Sequence, residues 1–257
     1  MLVPVAAAVA YLLSLAAIAL WLPAMLVLWA VTAPFDPTRR VVGRFLRGCA
    51  VFATLSFPFW RLRIEGRWPG GRRAYVVVSN HQSMLDILML SRLPREMKWV
   101  AKEELFRVPW IGWMFWIAGD IPVRRGDADS GREVLARATS YLRHGMNVMM
   151  FPEGTRSRDG RMLPFKSGAF RLAIEAGVPV LPVAVHGTAE GMPKGSPWVR
   201  PATAWARILE PIETAGMAEG DVTRLRDMAR ERIAAALPVA SRSRGCQPGA
   251  APEVAEG

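Results

Sequence analysis

From Leu2 to Pro34 no side chain carries a charge, and Arg39, Arg40, Arg44 and Arg47 follow soon after. A helix needs roughly 20 consecutive apolar residues to cross a bilayer, so this run is ample for one helix and short for two full crossings. Pro23 lacks a backbone N–H and can break a helix. Two arrangements therefore stay open, a single span and a shallow monotopic hairpin bent at Pro23. A secretory signal would put its basic residues before a shorter apolar stretch, the reverse of the order here, so the segment is expected to be retained. A buried core helix is the alternative, and it fits a run of this length poorly. The positive-inside tendency places the arginines, and the domain after them, on the cytoplasmic face. Val51 to Trp60 is apolar and aromatic behind Arg44 and Arg47, as in a segment lying at headgroup level.

With 257 residues, about half of them apolar, the chain can bury one large core. Its 33 Lys and Arg against 22 Asp and Glu give a net charge of +11, which favours an anionic partner: phosphate, nucleic acid or an acidic bilayer surface. A nucleic-acid binder is the weakest of these, because the basic residues lie beside the apolar segment and no recognition module appears. Cys49 and Cys246 lie far apart and outside any paired pattern, so neither a disulfide framework nor a zinc site is indicated.

Beyond Leu62, short β-branched runs alternate with helical patterns, which predicts an α/β sheet with helices on its faces. Strands are expected at Ala74 to Ser79, Asp120 to Arg124, Asn147 to Phe151, Val180 to Val185 and Thr203 to Ile208. Ser130 and Glu133 have the spacing of a capping box before an apolar stripe of Val134, Leu135, Ala138 and Leu142, with Gly145 as the stop. Asp221 to Leu237 carries Val222, Leu225, Ala229 and Ile233 at helical spacing. Ser, Arg, Gly, Pro and Ala dominate after Pro238, the composition of a disordered tail. The expected organisation is an anchor and interfacial segment over residues 1–60, a catalytic domain over 61–237, and a tail over 238–257.

The expected strand ending at Ser79 runs straight into Asn80-His81-Gln82-Ser83-Met84-Leu85-Asp86, after which Ile87 to Leu90 continues as a helix. Open α/β sheets place ligands at such strand ends. Asp86, five residues on, can fold back to accept a hydrogen bond from the His81 Nδ1–H, leaving Nε2 free as a base. A second constellation, Phe151-Pro152-Glu153-Gly154-Thr155-Arg156, follows another expected strand. Glycine allows close backbone approach, arginine offers a bidentate fork to phosphate, and the carboxylate can hold a hydroxyl. Taken alone, Glu153 and Arg156 read first as a local ion pair in a turn.

Together these residues resemble the glycerolipid acyltransferase family, over most of the chain from about residue 74 to 186. Asn80-His81 with Asp86 is similar to the family's first block and Gly119-Asp120-Ile121-Pro122-Val123-Arg124-Arg125 to its second. Phe151 to Arg156, continuing to Phe165-Lys166-Ser167-Gly168, resembles the third, and Val178 to Ala184 the fourth. The resemblance implies an α/β fold with a mixed sheet flanked by helices, behind an N-terminal hydrophobic anchor. It implies His81 and Asp86 as the catalytic pair, with Lys102, Arg125, Glu153, Gly154, Thr155 and Arg156 binding the phosphate-bearing substrate. Arg124 beside Arg125 adds a charge where relatives often carry an acid, which leaves open which arginine faces the site. Met84 stands where an aromatic residue is common, and methionine fills irregular gaps. Val180 to Ala184 reads as core strand first and pocket wall second.

The implied chemistry is acyl transfer in a ternary complex. His81 deprotonates the acceptor hydroxyl, which attacks an acyl thioester of coenzyme A or acyl carrier protein, with no other cofactor and no metal. Ser83 lies outside any Gly-x-Ser-x-Gly elbow, so it is a poor nucleophile candidate. The expected acceptor is lysophosphatidic acid. Another lysolipid, such as a lyso-ornithine lipid, and a non-catalytic lipid-binding protein of the same fold are the alternatives.

Overall fold

The computed structural model describes residues 2–157, 160–196 and 198–241. Its centre is a seven-stranded sheet in the order β1-β7-β6-β2-β5-β3-β4. The strands are β1 (Trp60–Glu65), β2 (Val76–Ser79), β3 (Met97–Lys102), β4 (Ile121–Val123), β5 (Asn147–Met150), β6 (Val180–His186) and β7 (Ala202–Ile208). Five of them, β6-β2-β5-β3-β4, are mutually parallel. β7 is antiparallel to β6 and parallel to β1, so these two run the other way and the sheet is mixed. Five strands thus present their carboxyl ends at one edge.

Helices cover both faces, which is why the central strands read as continuous apolar runs. Alternate residues point to opposite faces. Val76, Val78, Val148 and Val180 face one core, closed by α6 (Ala128–Arg143), α7 (Gly168–Ala176) and α9 (Val222–Ala236). Tyr75, Val77, Met149 and Leu181 face the other, beneath α3 (Leu85–Leu90). The expected helix after residue 126 forms, but its cap is Asp127, whose carboxylate accepts a hydrogen bond from the Ser130 N–H. Ser130 itself lies in the first turn, its Oγ accepting from the Arg124 N–H at 2.9 Å. Asp127 caps the helix from three positions before the expected Ser130, so the helix starts earlier than the sequence pattern indicates.

On the far side of α3 lies an outer layer of α1 (Leu2–Thr32), α2 (Arg40–Leu55) and α5 (Ile111–Ala118). α1 is continuous through Pro23, about 46 Å long at 1.5 Å per residue. It is the one helix among the described residues long and apolar enough to cross a membrane, and little of its surface is buried. Yet one side of it packs on the protein along most of its length. Ala7 and Ala10 join Phe57 and Trp60, while Ile18, Trp21, Leu22, Met25 and Leu28 join α2 and α5. The stretch expected at headgroup level divides differently: α2 extends to Leu55 and Trp60 opens β1.

Buried charge ties this layer to the sheet. Arg47 on α2 contacts Asp120 at 2.6 Å, and Lys98 on β3, fully buried, donates to the carbonyls of Arg39 (2.9 Å) and Ala118 (2.7 Å). Arg39 donates in turn to the Trp116 carbonyl at 2.6 Å. One lysine thus caps the C-terminal end of α5 and holds the α1–α2 link. Of the expected tail, Val239–Ser241 forms a 3-10 turn; residues 242–257, Cys246 among them, lie outside the described residues.

Candidate active site

His81 and Asp86 sit where β2 gives way to α3, at the carboxyl edge of the parallel strands. The His81 Nδ1 lies 2.7 Å from Asp86 Oδ2. That same oxygen accepts from the backbone N–H groups of Gln82 (2.7 Å) and Ser83 (2.9 Å). Oδ1 accepts a short hydrogen bond from Thr188 Oγ1. An oxygen that already receives two backbone donors can only be an acceptor toward the ring, so the proton belongs on Nδ1 and Nε2 is left as the basic nitrogen.

The imidazole is held on its flat side as well, stacked on Phe151 with ring centroids 3.9 Å apart. Asn80 pins the loop to β6, exchanging hydrogen bonds with the Val185 N–H and carbonyl at 2.8 Å each. Ser83 Oγ is fully buried and donates to the Met192 carbonyl at 2.7 Å. It is a loop brace with no access to a substrate.

Glu153, expected to meet a substrate hydroxyl, turns to the backbone instead. Its Oε1 accepts from the His81 N–H at 2.8 Å and its Oε2 from the Leu163 N–H at 3.0 Å. The His81 carbonyl accepts from the Ser157 N–H at 2.9 Å, so the segment after β5 clamps the histidine from both sides. Burial pushes the Glu153 carboxyl up to about 8, against the lowering effect of its two backbone donors.

The basic residues gather at the same edge. Arg124 is engaged by Glu103 (3.6 Å) and Asp127 (3.2 Å). Arg125 stands near Arg156: desolvation and that neighbouring guanidinium lower its pKa, and Glu104 partly offsets them. Of the two adjacent arginines, then, Arg125 is the one that feels the Arg156 charge. Gly154 has a φ of +69°. A Cβ there would come within 3.1 Å of the Lys166 side chain, which brings a further cation beside the turn. Lys194 Nζ donates to the Arg156 carbonyl at 2.6 Å. Thr155 is exposed, and Lys102 pairs with Glu104 at 2.9 Å on the rim.

An apolar cavity of about 450 Å³ opens beneath Met84 and is walled by α1, α2, α3 and α5, through residues such as Leu15, Ala53, Leu88 and Met114. That volume lies in the range of small-molecule sites. Met84 lines it, which accounts for an apolar residue there, whereas the β6 strand Val180 to Val185 is core. His144 bonds within its own helix, at 2.7 Å to the Ser140 carbonyl, and His186 contacts Ser241 at 3.2 Å. Among the described residues no three His, Cys, Asp or Glu side chains are grouped to hold a metal ion.

Thr188, Phe151, Lys166 and Lys194 are the contributors that sequence reasoning did not assign a role. Only Phe151 and Lys166 stood inside a recognised motif; Thr188 carried no signal beyond following a strand.

The acyltransferase family model matches residues 62–186. A chloroplastic 1-acyl-sn-glycerol-3-phosphate acyltransferase of Arabidopsis thaliana is 42% identical over 165 residues, covering 63% of this chain and 46% of that protein. A 1-acyl-sn-glycerol-3-phosphate acyltransferase of Chlamydomonas reinhardtii is 35% identical over 83% of this chain and 64% of its own length. The human alpha enzyme of the same name is 40% identical over 62% of this chain and 57% of its own length. The chain thus spans between about half and two thirds of these relatives. The crystal structure of the 1-acyl-sn-glycerophosphate (LPA) acyltransferase PlsC from Thermotoga maritima superposes with a TM-score of 0.60 at 26% identity, covering 87% of this chain and 96% of that one.

Proposed function

Residues 62–186 form a domain of the acyltransferase family, and on that premise we propose that the protein moves a fatty acyl group from an acyl thioester to the sn-2 hydroxyl of lysophosphatidic acid, giving phosphatidic acid. The observation that carries the reading is the Asp86 carboxylate, which fixes His81 with Nε2 as the base. In this mechanism Nε2 takes the acceptor's hydroxyl proton as the oxygen attacks the thioester carbonyl. The tetrahedral intermediate collapses by breaking the C–S bond, and the departing thiolate recovers the proton from the imidazolium. Asp86 stabilises that imidazolium, and no protein nucleophile is required.

The basic edge suits a phosphate. The Arg156 charge works against that of Arg125, an opposition that an anionic headgroup between them would relieve. The cavity under Met84 suits an acyl chain, lying against the loop that carries His81. Acyl-coenzyme A and acyl carrier protein are both compatible donors.

The membrane attachment follows from how α1 packs. From Ala7 to Leu28 the helix rises about 31 Å, the full thickness of a hydrocarbon core. Over that whole length one side contacts the domain. A helix standing across the bilayer would draw α2, with its Arg40, Arg44 and Arg47, in with it. On this reading α1 lies along the membrane surface with its exposed side in one leaflet, on the cytoplasmic side that the arginine cluster favours, and the site meets lipids without extracting them into water.

The test is thiol release from acyl-coenzyme A and from acyl carrier protein by the detergent-purified chain, with lysophosphatidic acid and with other lysolipids. Turnover with lysophosphatidic acid that His81→Ala lowers by about 10²–10⁴ is the expected result. Turnover only with another lysolipid would transfer the assignment to that acceptor, and a His81→Ala variant of undiminished rate would overturn the base.

A further inference from the structure

Between β3 and β4 the chain makes a tight hairpin of α4 (Glu103–Phe106) and α5, with Trp110 at its apex. Trp110 has a φ of 63° and a ψ of −65°, a backbone conformation that side-chain-bearing residues avoid. It is held there by close packing behind it, since a Cβ on Gly112 would lie 2.3 Å from the Phe106 carbonyl oxygen. The consequence is an outward row of aromatic side chains: Trp110, Trp113 and Trp116 are 44%, 49% and 45% exposed.

This row stands on a helix packed against α1, which also carries exposed apolar side chains. α5 shares a buried cluster with α1 and α2 through Met114 and Ala118, and Arg39 and Lys98 bond its C-terminal carbonyls. The three helices cannot move independently, so whatever medium receives α1 is also presented to α5. Meanwhile Leu105, Ile111, Met114 and Phe115 line the apolar cavity from within. Val108 and Ile111 do both, lining the cavity while remaining 41% and 36% exposed.

We propose that the α4–α5 hairpin is a second membrane-seated element, its tryptophans at headgroup depth beside α1, and that Val108 and Ile111 form the lateral mouth through which an acyl chain passes between the leaflet and the cavity. This rests on the in-plane placement of α1 given above. A bilayer is the occupant that fits. Tryptophan is the side chain enriched at the membrane–water boundary, where its ring is apolar and its N–H stays wet. The face stands on a helix packed against α1, whose apolar surface needs the same medium, and the exposed Arg107 at the hairpin's base adds attraction to anionic headgroups.

The experiment uses the full chain with Cys246→Ala, leaving only the buried Cys49. Single cysteines are introduced as Trp113→Cys or Trp116→Cys, with Leu20→Cys as the α1 reference and Arg132→Cys on α6 as the remote control. Each carries an environment-sensitive dye, in phosphatidylcholine–phosphatidylglycerol vesicles with spin-labelled lipids. Quenching at 113 and 116 within about twofold of that at 20, with none at 132, is expected for a shared interfacial depth. Solvent-like emission at 113 and 116 with quenching at 20 would overturn the proposal and leave the α1 anchor standing. Apolar emission there without lipid quenching would instead put a protein partner or second copy on the face, and also overturn it. Failure of quenching at 20 would remove the anchor reading and this inference together, with the acyl-transfer reaction judged separately by thiol release.

Discussion

Replacing Asp86 by asparagine separates charge from geometry at the proposed catalytic pair. Three donors converge on Oδ2: the His81 Nδ1–H and the backbone N–H groups of Gln82 and Ser83. An asparagine fits only with its carbonyl oxygen at that position, since an NH₂ there would face all three. Its amide nitrogen then takes the place of Oδ1 and meets Thr188 Oγ1, whose hydroxyl can rotate from donor to acceptor. All contacts survive in neutral form, so the stability cost is that of weakened charge-assisted bonds, about 1–2 kcal/mol after the relief of desolvating a charge. What is lost is the countercharge for an imidazolium. The same substitution in a Ser-His-Asp triad costs about 10⁴ in rate. A thiolate leaves with less help than an amine, so a loss of about 10²–10⁴ in kcat is expected, or roughly 3–5 kcal/mol of barrier. Thiol release under saturating substrates, beside thermal unfolding of the same sample, measures both. An Asp86→Asn protein that folds normally and keeps more than about a tenth of the wild-type rate would refute the assignment of His81 as the base.

Thr188→Ala leaves Asp86 Oδ1 buried with its hydroxyl donor gone, so about 1–3 kcal/mol of stability is lost together with part of kcat at unchanged KM; Thr188→Ser should restore both. Glu153→Gln sets an amide NH₂ against either the His81 or the Leu163 N–H, again costing about 1–3 kcal/mol in urea unfolding. Its pH signature is distinctive: with the folded carboxyl near 8 against an ordinary 4.5, the wild-type stability contribution is full below about 4.5 and lost as pH rises through about 8. Glutamine lacks that titration, so the gap between the two proteins should narrow between pH 5 and pH 8.5; a constant gap would show that Glu153 stays ionised throughout. Arg156→Ala should raise the apparent KM for lysophosphatidic acid with little change in kcat. Arg124→Ala, which removes exposed pairs to Glu103 and Asp127, should change stability by less than about 1 kcal/mol and leave that KM alone.

The central strands could be read from the sequence because burial on both faces leaves β2, β5 and β6 almost wholly apolar. β1 and β3 could not. Arg61 and Arg63 alternate with apolar residues in β1, the pattern of an edge strand, and an aromatic stretch runs straight into it. In β3 the fully buried Lys98 breaks the hydrophobic run that would have marked it, because its partners are carbonyls of distant segments. The site divides along the same line. His81 and Asp86 are local to one turn, so their pairing is visible in the spacing. Thr188 reaches Asp86, 102 residues away, only because β6 lies beside β2, and Lys194 reaches Arg156 across 38 residues. Glu153 was legible as a site residue while its partners, two backbone amides, were not.

The strand order has a consequence for how the protein is made. Among the described strands β1 pairs only with β7, Trp60 opposite Ala202. At ribosomal rates of about 5–20 residues per second, β1 emerges some 7–30 s before its partner exists. During that interval β1 has no strand to pair with, and until α3 and α5 are made the apolar faces of α1 and α2 must be sheltered elsewhere. With α1 seated in one leaflet as proposed, the leaflet is the available shelter. Attachment to the membrane would then precede the folding of the catalytic domain, and the bilayer would act first as a chaperone and only afterwards as the source of substrate.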